Sequence, residues 1–407
     1  MNAPAALEGV RVLDLSRILA GPWATQILAD LGAEVIKIEK PGAGDDTRGW
    51  GPPFLASADG PGDAAYFLAA NRNKRSVTID FTKPEGAALI ASMIPDCQIM
   101  VENFKTGGLA KYGLDYASVA RINPALVYCS ITGFGQDGPY ASRAGYDYLV
   151  QAMGGLMSIT GQPDGAPGAE PLKVGVAVAD LFSGMYAVTG ILAALRHAER
   201  TGDGQHVDIA LLDCQTAMLA NQAMNYFVSG AAPTRLGNAH PNITPYQVFQ
   251  TADGHIVLAV GNDAQFKSFC VEAGLADLAE RAEFATNATR IANRAALVDY
   301  VEIAMRARTT QQWIAALEHA GVPCGPINTI DQVFADPQVR GRAMTQEMTR
   351  ADGTDVTLVS SPVKLSRTPA VAKRAPPALG ADTEDVLRTL AKVSAADIAE
   401  LRRRQIV

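Results

Sequence analysis

The pattern of hydrophobic and polar positions changes its period repeatedly along the first 135 residues. Strand-like apolar runs occupy residues 10–16, 33–39, 76–81, 97–104 and 125–132. Apolar positions with helical spacing occupy residues 21–32, 83–94 and 115–123. Strands that alternate with helices are joined by right-handed crossovers, so the pattern predicts an α/β fold with a doubly wound, mostly parallel sheet. Such a sheet binds its ligands at the carboxyl ends of its strands.

The rest of the chain predicts more of this fold and a smaller domain. Residues 172–180 alternate like a strand and lead into a long apolar helix, and another strand and helix follow residue 204. Proline, asparagine and glycine are concentrated at residues 231–245, which predicts a linker, and residues 246–260 predict a hairpin around the sequence ADG. We therefore expect a large α/β domain at 1–227, a small α/β domain at 228–330, and a return to the large domain at 331–407.

Composition and charge narrow the class of protein. Hydrophobic residues make up 48% of the chain and charged residues 19%, which is ordinary for a globular protein. The net charge of −7 argues against nucleic acid or an anionic membrane as a partner. We expect no signal peptide and no membrane span, and the five cysteines are scattered without a CxxC pair. These features predict a cytoplasmic protein with reduced thiols and no metal site.

Two motifs give little support to a function. The sequence GFGQDG at residues 133–138 matches the pattern G-x-G-x-x-G, but Pro139 and a polar stretch follow it where a dinucleotide fingerprint requires a helix. The five histidines are dispersed, and none is paired at metal-ligand spacing. The sequence therefore does not favour a Rossmann-type NAD site, a zinc site or serine–histidine chemistry.

Basic and amide side chains follow several of the predicted strands. Lys40 follows the second strand, and Asn103, Lys105 and Lys111 lie at or after the end of the fourth. Because the loops after parallel strands gather at one edge of the sheet, these groups can converge on a nucleotide that carries phosphates. They can equally be solvated surface residues, and their spacing does not separate the two interpretations.

Asp180 is the one charged residue in an apolar stretch, VAVADLFSGMYA, at the start of the long helix. Aspartate is a preferred helix N-cap, because its side-chain oxygen accepts hydrogen bonds from the free N–H groups of the first turn. This capping role is the simplest interpretation of Asp180 from the local sequence.

Long strings of the sequence resemble the class III CoA-transferases, a family that also includes the α-methylacyl-CoA racemases. In order along nearly the whole chain, they are VLDLSRILAGPWATQILADLGAEVIKIEKPGAGDDTRGWGPPF, NRNKRS, VENF, SITGFGQDGPY, RAGYD, VAVADLFSGMYAVTGILAAL, GVPCGPINT and DPQV. The resemblance implies a Rossmann-like large domain formed by both chain ends, a smaller α/β domain, and an interlocked homodimer. It also implies an acyl-CoA donor and a carboxylic acid acceptor as substrates, with no tightly bound cofactor.

The resemblance implies that Asp180 is the catalytic nucleophile, because the family's nucleophilic aspartate begins the matching helix. The helix dipole and free N–H groups would hold such a carboxylate ionised, and an ionised carboxylate can attack an acyl thioester. The mixed anhydride releases CoA thiolate, which returns to form an aspartyl-CoA thioester, and the acceptor takes the CoA through a second anhydride. No step needs a general base.

The family's coenzyme A contacts carry over to loops that follow the predicted strands and to the segment RAGYD. On this chain they are Leu19, Ala20, Lys40, Ile79, Asp80, Phe81, Thr82, Asn103, Phe104, Lys105, Lys111, Arg143, Tyr146 and Asp147.

Tyr146 separates two activities of the family. Racemases carry a histidine in its place as an acid–base group, whereas tyrosine, with an ordinary pKa of about 10, is a poor proton shuttle at neutral pH. We therefore expect CoA transfer. An acyl-CoA racemase or isomerase and a non-catalytic CoA-binding protein are the alternatives.

The acceptor is expected to be a small dicarboxylic acid or an analogue. Formyl-CoA transferases have a run of glycines over the nucleophile, where this chain has VGNDAQF, and the strings RILAGP and AHPNITPYQ resemble the succinyl-CoA:glutarate type. A dicarboxylate needs a cationic or amide partner for its distal carboxylate. Candidates for that partner are Arg17, Arg72, His240, Gly261 and Asn262.

Overall fold

The computed structural model describes residues 4–57 and 60–407 and contains two compact units. The first unit comprises the chain up to Leu156, together with Val174–Ala223 and Pro337–Val407. The second comprises Met157–Lys173 and Met224–Asp336, so it is larger than the predicted small domain at 228–330. Within the second unit, the Gly237 N–H donates to the Gly161 carbonyl at 3.0 Å, which explains why a segment distant in sequence belongs to it.

In the part of the chain that the structure describes, six strands form the parallel sheet of the first unit. They are β1 (Arg11–Asp14), β2 (Glu34–Glu39), β5 (Lys74–Thr78), β6 (Ile99–Glu102), β7 (Val127–Thr132) and β8 (His206–Ala210). Their order is β5–β2–β1–β6–β7–β8, and every neighbouring pair is parallel. The chain reverses its direction of winding between β1 and β6, and such a switch point is where doubly wound sheets bind ligands.

Two antiparallel hairpins and a set of helices complete the first unit. The hairpins pair β3 (Phe54–Ser57) with β4 (Gly60–Ala64), and β12 (Thr345–Thr349) with β13 (Asp355–Val359). The helices are α1 (Ala20–Asp30), α2 (Ala65–Ala69), α3 (Pro84–Met93), α4 (Tyr116–Ile122), α5 (Asp147–Met153), α7 (Val178–Thr201), α8 (Leu211–Met218), α16 (Pro337–Gly341), α17 (Thr383–Thr389) and α18 (Ala395–Arg403). The unit boundaries after residues 156 and 223 fall within α6 (Leu156–Ile159) and α9 (Ala220–Ser229).

Both faces of the parallel sheet are covered by helices. Val12 of β1 belongs to a core that includes Leu28 of α1 and Ile191 of α7. Its neighbour Leu13 points to the opposite face, where the core includes Ile90 of α3 and Val386 of α17. The predicted doubly wound α/β fold is therefore confirmed, with helices from the end of the chain covering the second face.

Helix α7 packs in the first of these cores. By length and composition alone it could cross a membrane, a property that the sequence analysis did not expect of any segment. Its residues Ala187 and Ile191 are fully buried against neighbouring elements, and the core helix of a globular domain passes the same test. No other helix among the described residues meets that test.

The second unit is built on a three-stranded antiparallel sheet. Its strands β9 (Tyr246–Gln250), β10 (His255–Ala259) and β11 (Cys324–Pro326) are ordered β11–β10–β9. Its helices include α10 (Asp263–Glu272), α11 (Ala276–Ala279), α12 (Asn287–Ala292), α13 (Arg294–Met305), α14 (Thr310–His319) and α15 (Ile330–Ala335). The hairpin predicted around the sequence ADG is confirmed, and Phe249, Ile256, Phe269 and Trp313 pack in the core of this unit.

The strand predicted at residues 172–180 is wrong. Residues 171–177 form neither a helix nor a strand, and α7 begins at Val178. Val176 is 56% exposed, and the Val174 N–H donates to the Gln151 side chain at 2.9 Å instead of to a neighbouring strand. The apolar residues of this segment alternate as they do in a strand, but the segment does not pair with the sheet.

Candidate active site

The loop that leaves β1 forms one wall of the site. Asn103, at the end of β6, binds it with both amide atoms: Oδ1 accepts the Arg17 N–H at 2.8 Å, and Nδ2 donates to the Arg17 carbonyl at 2.7 Å. Ile18 has a φ of 69°, and its N–H donates to the Asp45 carboxylate at 3.2 Å. The left-handed turn at Ile18 is thus fixed by side chains from two neighbouring loops.

A buried ionic network lies beneath this loop. Lys37 and Asp45 pair at 2.8 Å with fully buried side chains, and the Lys37 ammonium also donates to the Ser16 carbonyl at 2.9 Å. Lys74 pairs with Asp14 at 3.1 Å, also fully buried. Burial would raise the pKa of Asp45, but the Lys37 charge and hydrogen bonds lower it to about 2. Burial lowers the pKa of Lys74 to about 8.

A cavity of about 450 Å³ opens at the carboxyl ends of the strands. The predicted site residues that line it are Arg17, Leu19, Ala20, Phe81, Thr82, Asn103, Phe104, Lys105, Lys111, Arg143, Tyr146, Asp147 and Asp180. A second cavity of about 440 Å³ is lined by Lys40, Ile79 and Asp80, together with Arg17, Phe81, Thr82 and Phe104. The structure therefore brings the residues predicted for coenzyme A to two cavities with a common wall.

Aromatic rings and cations lie where the two cavities meet. Phe104 and Tyr112 each pack edge-to-face on Phe81, with ring centroids 5.4 and 5.5 Å apart. The Arg17 guanidinium lies over the Phe104 ring at 5.3 Å, and the Lys111 ammonium lies over the Tyr112 ring at 4.8 Å. Flat apolar surfaces beside cations suit a molecule that combines an aromatic base with phosphates.

Asp180 does not cap its helix. It is the third residue of α7, and the N-cap residue Ala177 makes no side-chain capping bond. Asp147 of α5 does the capping: its Oδ1 accepts the N–H groups of Ala179 and Asp180 at 2.8 and 3.3 Å. The capping role expected for Asp180 is therefore wrong, because those N–H groups already donate to Asp147.

The Asp180 carboxylate lines the cavity without compensating donors. It is partly buried, and among the described residues no donor hydrogen bonds to its side chain. Burial, and then the negative charge of Asp147, raise the pKa of Asp180 to about 7. Burial and Asp147 thus favour the protonated acid at Asp180, in contrast to the expectation that the helix end holds it ionised. A carboxylate of raised pKa is a stronger nucleophile when ionised.

Tyr66 of α2 is a neighbour of this carboxylate that sequence reasoning missed. Burial raises the pKa of Tyr66, and the charges of Asp180 and Asp147 raise it further. Its ring packs edge-to-face on Trp50 at 5.4 Å. No periodicity in the sequence indicates that this short helix lies near α7.

Two glycines allow the loop after β7 to approach the start of α5. A Cβ on Gly133 would lie 2.4 Å from the Gly145 Cα, so both positions need glycine. Gly133 begins the sequence GFGQDG, and its role is thus close backbone packing next to Tyr146 and Asp147. The first glycine of the motif is thus explained without a dinucleotide.

The structure does not bring Arg72 to either cavity. Its buried guanidinium binds both oxygens of Asp30, at 2.9 and 2.5 Å, and donates to the Val359 carbonyl at 2.9 Å. Residue 72 precedes β5, so it lies at the amino end of a strand, whereas the cavities lie at the carboxyl ends. The expectation that Arg72 binds a substrate carboxylate is contradicted by this placement.

Three further predicted residues belong to the second unit, where each has a local role. Asn262 caps α10 by accepting the Gln265 N–H at 2.9 Å, and the Gly261 N–H donates to Gln265 Oε1 at 2.8 Å. His240 accepts the Asn242 N–H at 3.0 Å on its Nδ1. Burial, and then the nearby Arg294, lower the pKa of His240.

Within residues 4–57 and 60–407, no group of three or more His, Cys, Asp or Glu side chains is placed to hold a metal ion. The five cysteines are free thiols, and four of them are buried.

The fold and the cavities define an α/β protein with a nucleotide-sized site that is lined by Asp180, a carboxylate of raised pKa. Comparison with known proteins supplies the family. The pattern of CoA-transferase family III matches residues 7–383, and the chain belongs to this family.

Its relatives extend over almost the whole chain. Succinate–glutarate CoA-transferase of Agrobacterium fabrum is 52% identical over 390 residues, which are 96% of each chain. Succinyl-CoA:glutarate CoA-transferase of Homo sapiens is 41% identical and covers 98% of this chain and 90% of its own. The crystal structure of a CAIB/BAIF family protein from Brucella suis superposes with a TM-score of 0.83 at 48% identity, covering 95% of this chain and 100% of that one. The predicted family and enzyme class are confirmed, and CoA thioesters are the substrates of that class.

Proposed function

We propose that the protein transfers CoA from succinyl-CoA, or a similar acyl-CoA, to glutarate or another small dicarboxylic acid or analogue. The observation that carries this proposal is the Asp180 carboxylate, which lines the cavity with a pKa raised to about 7 and no donor bound to it within the described residues. The relatives named for succinate and glutarate support the choice of substrates.

The first half of the reaction loads CoA onto the enzyme. Ionised Asp180 attacks the thioester carbonyl of the donor, and the C–S bond breaks to give a mixed anhydride and CoA thiolate. The thiolate then attacks the aspartyl carbonyl of that anhydride. The donor acid leaves, and an aspartyl-CoA thioester remains.

The second half repeats these steps with the acceptor. The acceptor carboxylate attacks the aspartyl-CoA carbonyl and expels CoA thiolate, which leaves a second anhydride between the acceptor and Asp180. The thiolate attacks the acceptor carbonyl, so acyl-CoA departs and the Asp180 carboxylate is restored. Each nucleophile is an anion, and no proton has to move.

Coenzyme A occupies both cavities in this proposal. Lys40, Lys105, Lys111 and Arg143 would neutralise its phosphates, and the rings of Phe81, Phe104 and Tyr112 would contact its adenine. The remaining predicted contacts, at Leu19, Ala20, Ile79, Asp80, Thr82 and Asn103, would follow the pantetheine chain towards Asp180.

Tyr146 supports transfer over racemisation. Its side chain is 65% exposed at the start of α5, next to Asp147. Racemisation needs an acid–base group at this position that exchanges a proton near neutral pH, and a tyrosine is poorly suited to that role.

Arg17 is the proposed partner of the distal carboxylate of the acceptor. It lines both cavities, and its exposed guanidinium pairs with Asp46 at 2.9 Å. An exposed ion pair contributes only about 0–1 kcal/mol, so a substrate carboxylate can replace Asp46 at little cost. His240, Gly261 and Asn262 of the second unit stay candidates for further acceptor contacts.

We also propose that the protein is a homodimer that works in the cytoplasm. Large apolar side chains of α5 and α7, each between 38% and 60% exposed, are Tyr148, Leu149, Met153, Phe182, Met185 and Tyr186. Such an apolar surface is typical of a protein interface. Light scattering during size-exclusion chromatography should give the mass of two chains, and a lower mass for a variant with both Met185→Glu and Tyr186→Glu. A wild-type mass of one chain would exclude the dimer.

The function is tested by incubating the protein with succinyl-CoA and glutarate and measuring glutaryl-CoA by mass spectrometry. We expect glutaryl-CoA and free succinate in equal amounts from wild type, and neither from Asp180→Asn. Deuterium incorporation into an α-methylacyl-CoA without any acceptor acid would instead indicate a racemase. Binding of CoA without turnover of any donor–acceptor pair would leave the non-catalytic alternative.

The role of Arg17 is tested with a matched pair of variants. Arg17→Met should raise the KM for glutarate about tenfold, because it removes a charged hydrogen-bonding partner. Arg121→Met changes an exposed arginine on α4 that lines neither cavity, and should leave the KM unchanged. An unchanged KM in Arg17→Met would exclude this role.

A further inference from the structure

A buried amide holds Asp147 in place. Gln151 lies one helical turn after Asp147 on α5 and is fully buried, and its Nε2 donates to Asp147 Oδ2 at 2.7 Å. Its Oε1 accepts the Val174 N–H at 2.9 Å, in the irregular segment that leads into α7. One side chain therefore joins α5 to the approach to α7, and through Asp147 to the first turn of α7.

The position of Asp147 decides what the Asp180 carboxylate can bind. Asp147 Oδ1 occupies the N–H groups of Ala179 and Asp180. If Asp147 turned away, those N–H groups would be free, and an aspartate in the first turn of a helix can fold back onto them. A carboxylate that accepts backbone N–H groups is a weaker base and a weaker nucleophile.

We propose that Gln151 is a positioning residue for CoA transfer: by fixing Asp147 on the first turn of α7, it keeps the Asp180 carboxylate free of hydrogen bonds and available to the thioester. The inference rests on the proposed function of Asp180. Gln151 lines neither cavity, so it acts through Asp147 and does not touch the reacting atoms. The charged group that raises the pKa of Asp180 is Asp147 of α5, and the charge of Asp180 in turn raises the pKa of its neighbour Tyr66 of α2.

The test compares two buried glutamines. Gln151→Met keeps the length of the side chain and removes both hydrogen bonds. Gln26→Met is the control: Gln26 of α1 is 1% exposed, donates to the Ala69 carbonyl at 3.1 Å and accepts the Arg72 N–H at 3.0 Å, and it lines neither cavity. Quenched-flow mass spectrometry measures the rate at which succinyl-CoA modifies Asp180 in a single turnover, from pH 5 to pH 9.

We expect Gln151→Met to modify Asp180 about 10- to 100-fold more slowly than wild type, with the KM for succinyl-CoA within about twofold, because misplacement of a reacting group affects the chemical step. The acid limb of its pH profile should move to lower pH, because an Asp180 carboxylate that binds N–H groups is more acidic. Gln26→Met should keep the wild-type rate and acid limb. A Gln151→Met variant with wild-type rate and acid limb would overturn the proposal.

A second variant keeps the proposal testable if Gln151→Met does not fold. Gln151→Glu retains the shape and the acceptor for the Val174 N–H, but it can bridge to Asp147 only while the two carboxyl groups share a proton. The rate of Gln151→Glu relative to wild type should therefore be highest at low pH and fall as pH rises. A ratio independent of pH would indicate a merely structural role and contradict the proposal.

Failure of the proposed function would look different from failure of this inference. If Asp180 is not the nucleophile, wild type acquires no succinyl-CoA-dependent modification at that residue. If only the inference fails, wild type is modified, Asp180→Asn is not, and the Gln151 variants behave like wild type.

Discussion

Two aspartates of the first unit, Asp45 and Asp180, show opposite uses of the same side chain. Asp45 is almost fully buried, yet Lys37 and its hydrogen bonds lower its pKa to about 2. Asp180 is also largely buried but has no compensating donor, so burial, and then the charge of Asp147, raise its pKa to about 7. Burial favours the protonated acid at both positions and therefore does not by itself explain why their pKa shifts have opposite signs. The donors around them do, and they separate a structural carboxylate from a reactive one.

The largest expected effect is on activity at Asp180. Asp180→Asn should reduce CoA transfer by about 10³-fold or more, because it removes the nucleophile from every step. The measurement is the rate of glutaryl-CoA formation under saturating substrates. A reduction of less than tenfold would show that Asp180 is not the nucleophile. The difference in pKa between Asp45 and Asp180 would then not distinguish a structural carboxylate from a reactive one.

The next largest effect is on stability at Asp45. Asp45→Asn leaves Lys37 buried without a carboxylate partner, and breaking a buried ion pair in this way costs about 3–5 kcal/mol. The midpoint and slope of chemical denaturation measure this loss in the free energy of unfolding. The double change of Asp45→Leu and Lys37→Met should recover much of it. A loss below about 1 kcal/mol for Asp45→Asn would contradict the account of the network.

A smaller effect of opposite sign is expected for stability at Asp180. Its pKa in the folded protein, about 7, lies above the ordinary value of 3.8, so the fold favours the protonated acid. Wild type therefore loses stability as pH rises from about 4 through about 7, by at most about 4 kcal/mol. Asp180→Asn lacks this loss and should be more stable than wild type at pH 8 and similar at pH 4. A stability difference that does not change with pH would contradict the raised pKa.

The smallest expected effect is a shift in the pH dependence of the reaction. Only ionised Asp180 attacks the thioester, so the rate of its modification should fall as pH decreases below about 7. Asp147→Asn removes the charge. Its amide oxygen can still accept the α7 N–H groups, although its amide nitrogen then faces the Gln151 Nε2 without a hydrogen bond, and the loss of charge should move the acid limb about one unit lower. A limb that stays in place would show that burial alone sets the pKa of Asp180.

Much of the fold follows from the sequence because the period of its apolar residues reports which faces are buried. The alternation of Val12 and Leu13 on the two faces of β1 is an example. The same reasoning failed at residues 172–180, because an alternating pattern indicates a strand only where another strand is available to pair with it. Strand pairing is a property of the folded chain and leaves no local signal there.

The candidate site was predictable where it depends on strand ends and on family resemblance. Arg17 and Asn103 line one cavity, as residues after parallel strands should, and Asp180, which the family resemblance indicated, lines the same cavity. The contact between Asp147 and the first turn of α7 was missed, because it joins residues more than 30 positions apart. Arg72 was misplaced because residue 72 precedes a strand and lies at the opposite edge of the sheet.

The central claim is that Asp180 is a reactive carboxylate whose side chain accepts no hydrogen bond within the described residues. Mass spectrometry of the protein mixed with succinyl-CoA tests this claim most directly. Wild type and Asp180→Asn are compared, with hydroxylamine added to one portion of each to trap anhydride or thioester. The account predicts a modification located at Asp180 in wild type and its absence in Asp180→Asn. Unmodified wild type in the presence of several acyl-CoA donors, or equal modification of both proteins elsewhere, would contradict it.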